Sequence, residues 1–278
     1  MLRIAIQSKG RLYEESMALL EEAGIKIPGG KRTLLVPARN FPVEVLFLRD
    51  DDIPESVASG VADVGIVGLN EVMEKRCPVG ILKKLGFGKC RLSLAIPQDI
   101  DYQDRNWFSG KKIATSYPGI LSDYLHKNGI VSDIHVITGS VEIAPGIRLA
   151  DAIFDIVSSG STLVSNRLKE VETVVESEAV LIGTDSISPE KRGILDELLF
   201  RFDSVQAADD KKYILMNVPQ KKLNDVLSVL PGIKSPTVMP LADKEWCSVH
   251  TVLDEKCFWE IINRLKTAIS KKSLARVS

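Results

Sequence analysis

The chain has 278 residues, 45% of them hydrophobic and 26% charged, with a net charge of −1 and a pI near 6.4. It is long enough for two or three domains with real cores. The balance argues against a general nucleic-acid or membrane surface, so polyanions would bind only in local pockets. No apolar run approaches the roughly 18 residues of a membrane span. The opening MLRIAIQSKGRL lacks the length and cleavage site of a signal peptide. Cys77, Cys90, Cys247 and Cys257, with three scattered histidines, form no metal or disulfide spacing and fit free thiols in a reducing cytoplasm.

In chain order, residues 2–7 read as a strand, 8–11 (SKGR) as a basic glycine turn, and 12–22 as a helix closed by Gly24. Strand, basic turn and helix make a candidate anion site, with Lys9 and Arg11 to neutralise charge; the alternative is an exposed basic turn. Residues 34–37 and 43–48 read as strands. The loop from Arg49 through three aspartates leads into a helix over 54–59 that starts on Pro54. Residues 64–67 form a strand ended by Gly68, where a backbone can approach a ligand closely. Residues 86–97 form a glycine-led strand carrying Lys89 and Arg91. Residues 111–115 restart a strand, 117–128 a helix and 134–137 a strand that runs into GSVE.

The stretch ADAIFDIVSSGSTL (150–163) is the densest in chemistry. It reads as a buried strand over 152–157, a small polar loop over 158–162 and a helix from about Leu163. Ser158, Ser159, Gly160, Ser161 and Thr162 leave backbone amides uncovered and add hydroxyl donors, which makes a phosphate cradle. Asp151 and Asp155, four apart on a strand, share a face. Beside a phosphate they make sense as ligands of sugar hydroxyls or of Mg²⁺ carried by the ligand. The competing reading is a Ser/Thr-capped helix with two solvated acids. A strand at 179–182 and a helix at 189–202 follow. From Lys211 the pattern becomes β-α-β-β-α, a ferredoxin-like module, with a polar basic tail SKKSLARVS that does not read as a strand.

Alternating strands and helices predict mainly parallel sheets in two lobes, with ligand loops lining the cleft between them. The expected division is a discontinuous first lobe, 1–97 with 183–210, a second lobe, 98–182, and a C-terminal domain, 211–278.

Several ordered motifs carry a resemblance: GVADVGIVG (60–68), LGFGKCRLSLAIP (85–97), GSVEIAP (139–145), LADAIFDIVSSGSTL (149–163), SPTVMPLAD (235–243) and FWEIINRLK (258–266). Over about residues 2–266 the chain resembles the ATP phosphoribosyltransferases that open histidine biosynthesis, in the long form with its own regulatory domain. The resemblance implies α/β lobes of the periplasmic-binding-protein type followed by an ACT-like domain. It implies a Mg²⁺-dependent, cytoplasmic enzyme that joins ATP to 5-phosphoribosyl 1-pyrophosphate and releases pyrophosphate. It further implies inhibition by histidine and dimeric and hexameric forms.

On that resemblance, the loop 158–162 holds the sugar 5′-phosphate. Asp151 and Asp155 face the ribose or the metal, and Glu142 contacts ribose or braces its loop. Lys9, Gly10 and Arg11 serve pyrophosphate or the ATP phosphates, and Arg49, Gly68 and Arg91 line the ATP side. Asn217, Ser235 and Thr237 are the candidate histidine contacts. Arg148 and Arg167 stand where the family usually has glycine. Three other classes stay open: a two-lobe binding protein, for which an export sequence would be needed; a phosphoribosyltransferase for another base, separable by offering adenine, hypoxanthine or orotate; and an inactive regulatory subunit, against which the central loop argues.

Overall fold

The computed structural model describes residues 1–28, 33–209, 211–231, 236–269 and 276–277. It divides into two units, residues 1–202 and 203–278.

In the first unit, β1 (Leu2–Gln7) alternates little, because both of its faces are covered: Leu2, Ile4, Ala5 and Ile6 are fully buried. Gly10, at φ 91°, turns the chain into α1 (Arg11–Glu22). Then come β2 (Leu35–Pro37), β3 (Val43–Leu48), α2 (Ile53–Ala58), β4 (Val64–Gly68), α3 (Leu69–Lys75) and β5 (Gly80–Lys84). Next are β6 (Cys90–Pro97), β7 (Lys112–Thr115), α4 (Pro118–Lys127), β8 (Asp133–Val136), β9 (Ala152–Val157), α5 (Ser161–Ser165) and β10 (Leu168–Ser177). β11 (Ala179–Gly183) and α6 (Pro189–Asp209) complete the series.

Two sheets form. The first has the order β2-β3-β1-β4-β11-β5, with β1 parallel to β3 and β4, and β11 antiparallel to both of its neighbours. The second has the order β10-β6-β9-β7-β8, parallel through β9, β7 and β8 and antiparallel at β6 and β10. The lobe boundaries therefore differ from the sequence reading. β6 belongs to the second sheet, and β11 returns to the first. The chain crosses between sheets at 85–89 and at Glu178, not at 97 and 183. A strand's own sequence does not name the sheet that receives it, which explains the displacement.

The stretch 168–177, to which the sequence assigns no element, is a ten-residue strand bulged at two places against β6. The helix expected from Leu163 is the short α5, which starts at Ser161. α6 closes on the first lobe through buried Leu195, Leu198 and Phe202, and Arg201 lies over the Phe41 ring at 4.4 Å.

The second unit contains β12 (Lys211–Pro219), α7 (Leu223–Val229), β13 (Thr237–Pro240), β14 (Trp246–Asp254), α8 (Glu255–Ala268) and β15 (Arg276–Val277). The sheet order β13-β14-β12-β15 is the ferredoxin-like arrangement. The tail, which does not read as a strand, thus contributes a two-residue one, paired with Ile214 and Leu215. Ile214, Met216, Val218, Val249, Phe258, Ile261 and Leu265 form the core of this unit.

Candidate functional site

β9 is a central strand of alternating environment. Phe154 packs into one core cluster, and Ile153 and Val157 into another on the opposite face. Asp155 shares that second face, across from fully buried Ser93 on β6. A carboxylate among apolar neighbours loses hydration. Burial accordingly pushes Asp155 up to about 6, the Ile156 amide (2.8 Å) opposes the rise, and the Glu142 charge adds to it. Glu142 reaches this position on a short 3-10 turn, Val141–Ile143, that follows Ser140 in the left-handed region.

After β9 the exposed Ser158 and Ser159 precede Gly160, which adopts φ 80° and starts α5. The hydroxyls of Ser159 and Ser161 lie 3.0 Å apart. Arg11, from the other lobe, points Nη1 at Ser158 Oγ, 3.5 Å away, while its Nε donates to Glu15 at 3.1 Å. Arg91 is less free than expected. Its guanidinium forks onto Glu170 with two 2.5 Å hydrogen bonds and donates to the Ser158 carbonyl at 3.2 Å. That fork, with Ser93 at 2.7 Å, holds Glu170 down at about 2. Arg91 therefore braces the loop from behind.

Two cavities open beside Ser158. One, of about 260 Å³, is lined by Gln7, Arg11, Leu12, Glu15, Gly68 and Ile156 among others. The other, of about 480 Å³, is lined by Lys84, Arg91, Glu176 and Glu178 among others. Lys89, Cys90 and Ser158 border both. Lys89 forms no ion pair among the described residues. Burial pushes the Cys90 thiol up, which disfavours a thiolate nucleophile.

The structure does not bring Asp151 to this place. It precedes β9, exposed, with its carboxylate on the Lys112 amide at 2.9 Å. Four residues of strand put it roughly 13 Å from Asp155 along the chain. Lys9 is exposed beside Gly10, and Arg49 is exposed at the start of the turn before α2. Gly68 has a packing reason: a Cβ there would lie 2.4 Å from Asn70 Oδ1.

Asn70 belongs to a network that the sequence alone does not disclose. Its Nδ2 donates to Glu71 Oε1 (3.0 Å), Tyr117 Oη donates to the same oxygen (2.8 Å), and Ser177 Oγ donates to Asn70 Oδ1 (2.8 Å). All four side chains are buried, and they tie α3 to elements of the second lobe. Burial pushes Glu71 up, while the Tyr117 hydrogen bond opposes the rise. Glu74 accepts from the Gly119 and Ile120 amides at 2.8 and 2.9 Å, capping α4 from the other lobe. The one sequence signal for this network is Gly-Leu-Asn-Glu at a strand end.

Arg148 and Arg167 stand in the left-handed region, at φ 59° and 57°, which accounts for glycine suiting those places. No three His, Cys, Asp or Glu among the described residues form a metal site. Asp155 and Glu142 offer two hard oxygen donors, a set that fits a cation arriving on a polyphosphate. No helix among the described residues is long and apolar enough to cross a membrane.

In the second unit, Asn217 and Thr237 share the outer face of the sheet with Ser248 and His250, their strand partners. His250 Nε2 lies 2.9 Å from Ser248 Oγ, and its Nδ1 meets Tyr213 Oη. Ser235 lies outside the described residues.

Comparison with known proteins gives a consistent result. Residues 49–204 match the family ATP phosphoribosyltransferase, and residues 208–272 match "HisG, C-terminal domain". An ATP phosphoribosyltransferase of Bacteroides fragilis is 70% identical over 96% of this chain and 94% of its own length. One from Phocaeicola vulgatus has the same identity and coverage. The ATP phosphoribosyl transferase (HisG:HisZ) complex from Thermotoga maritima superimposes with a TM-score of 0.64 at 27% identity, over 74% of this chain and 98% of that one. The substrate binding protein of an amino acid ABC transporter gives 0.51 at 11% identity, over 75% and 94%, a likeness of fold alone.

Proposed function

The chain belongs to the ATP phosphoribosyltransferase family, and from that premise we propose that the site between the two lobes joins N1 of ATP to C1 of 5-phosphoribosyl 1-pyrophosphate. The observation that supports this reading is one junction: Arg11 of the opposite lobe meets the 158–162 loop at Ser158, and Asp155 lies on the strand that runs into that loop. In this reading Ser158, Ser159, Gly160, Ser161 and Thr162 hold the sugar 5′-phosphate, and Asp155 and Glu142 face the ribose. Arg11, Lys9 and Lys89 meet the phosphates. Arg91 keeps the loop in shape, and Asp151 takes no part.

The adenine N1 lone pair forms the new bond to C1 as the bond from C1 to the pyrophosphate oxygen breaks. Positive charge grows on the ribose, and negative charge grows on the leaving group. A desolvated carboxylate beside the ribose stabilises the first, and fixed cations stabilise the second. Mg²⁺ bound by the pyrophosphate, with Asp155 and Glu142 nearby, would supply further charge neutralisation of the leaving group. No covalent nucleophile and no general base are needed, so the residues' work is alignment and charge placement.

The proposal extends to regulation. Histidine binds the outer sheet face of the C-terminal domain near Asn217 and Thr237 and lowers activity. The exposed Tyr213, Met239 and Val252 on that face support self-association into dimers and hexamers. The substrates place the enzyme in the cytoplasm.

The test is a mixing assay with Mg²⁺, ATP, 5-phosphoribosyl 1-pyrophosphate and an added pyrophosphatase, with and without histidine. Rising ultraviolet absorbance from N1-alkylated adenine is expected, and suppressed by histidine. Absence of product with ATP, but turnover with another base, would replace this reading.

A further inference from the structure

The smaller cavity holds a polar group that nothing in the fold explains. Glu15 sits one turn into α1. One of its carboxylate oxygens, Oε1, is held by Arg11 Nε at 3.1 Å. The other, Oε2, is buried and accepts no hydrogen bond among the described residues. Buried acceptors in native proteins are nearly always paired, so an orphan in a cavity wall asks for a donor from outside the chain. Gln7 lines the same cavity from the end of β1, half-buried, and its side-chain amide forms no hydrogen bond among the described residues. Leu12 and Ile156 add apolar surface to the wall, against which a flat ring can pack.

We propose that Glu15 and Gln7 read the edge of the substrate's purine that carries the 6-amino group and N7, and so select an aminopurine over an oxopurine. The inference rests on the ATP reading above and deepens it. Its chemistry follows from the reaction. N1 is the attacking atom and must stay free, so the base has to be gripped elsewhere. The edge formed by the amino group and N7 remains. An amide matches that edge bidentately, accepting from the amine and donating to N7. An ionised carboxylate only accepts, so it pairs with the amine and opposes a 6-oxo group. The Arg11 contact aims Glu15, which joins recognition of the base to the cation next to the phosphate loop.

The experiment measures the KM for ATP and the inhibition constant of inosine triphosphate, which carries oxygen in place of the amine, in the same forward assay. Inhibition is the right readout because N1 of inosine bears a proton and reacts poorly for its own reasons. The wild type is expected to hold inosine triphosphate at least about 100-fold more weakly than ATP. Glu15→Gln keeps the shape and the bond to Arg11, and can turn an amide donor toward the 6-oxo group. It is expected to shrink that ratio by about tenfold or more, mainly through weaker ATP binding and tighter inosine triphosphate binding. Gln7→Met serves as a second variant and is expected to lower the ratio in the same direction.

A merely structural role for Glu15 would weaken both nucleotides alike and leave the ratio unchanged. Product formation with an unchanged ratio in both variants overturns the inference and leaves the reaction standing. No N1-ribosylated product from ATP in the wild type overturns the reaction reading, and the inference with it.

Discussion

Asp155 is the residue on which the site turns, because it is charged where the strand around it is apolar. Its folded-state value of about 6 lies above 3.8. The stability this group contributes is therefore fully present below pH 3.8 and is lost as pH rises through about 6. Asp155→Asn stays neutral, so at pH 8 it should melt higher than the wild type, by up to roughly 3 kcal/mol, the free-energy equivalent of that displacement. The same variant should lose on the order of 100- to 1,000-fold in kcat, as for other charge-placement groups. Calorimetry and the assay together check the pair of effects; loss of both stability and activity would mean a packing role. In the wild type, kcat should rise as pH passes about 6 and Asp155 ionises. Asp155 and the loop after it are legible in the sequence because they are neighbours there. Asp151 is paired with Asp155 by period-two alternation alone, which marks a shared face and ignores that Asp151 lies before the strand begins, with its carboxylate on the Lys112 amide. The orphan oxygen of Glu15 leaves no trace in sequence at all.

At the scale of the element, the loop and its short helix depend on backbone conformation. Gly160 at φ 80° admits a β-branched residue only with strain. Gly160→Val should raise the KM for 5-phosphoribosyl 1-pyrophosphate by about tenfold or more and leave the KM for ATP much closer to wild type; equal changes in both would count against the cradle. Arg167 presents the opposite case. Its left-handed backbone costs about 1–2 kcal/mol, and glycine costs about 0.5–1 kcal/mol in chain entropy. Arg167→Gly should thus stabilise by about 0.5–1 kcal/mol, readable as a shift in denaturant midpoint. The sequence hides β10 for a physical reason. Residues 168–177 mix acids with β-branched residues, and the glutamates lend them the texture of a surface helix. The bulges against β6 blur the period further.

At the scale of the molecule, the first unit's two lobes are joined by buried and part-buried polar contacts between residues 45 to 107 apart in sequence. Such separations explain why composition and motifs disclose two lobes and a cleft but not what ties them. Glu74 carries two of these contacts, and Glu74→Ala should cost about 1–2 kcal/mol, in line with the loss of a helix cap. An unchanged unfolding midpoint would show α4 to be capped well enough without it. In the second unit, the ferredoxin-like order is readable from the alternation of strands and helices, and the closing strand is not, because two residues carry no pattern. If histidine binds the outer sheet face, Asn217→Ala with Thr237→Ala should abolish inhibition and keep kcat within about twofold. Retained inhibition would move the site elsewhere.

The way the chain crosses between its sheets also fixes an order of assembly during synthesis. β6 through β10 are contiguous, so the second sheet has all its strands once Ser177 has emerged. The first sheet does not: β11 inserts between β4 and β5, which were made about 100 residues earlier. Until then the edges of β4 and β5 stand unpaired on a nascent chain. The second lobe thus forms as an insert inside an unfinished first, and β11 is its closing bolt. A nascent chain arrested with residues up to about Ser177 outside the exit tunnel should display a protease-resistant second lobe and a cleavable first, and one arrested with α6 also outside should protect both.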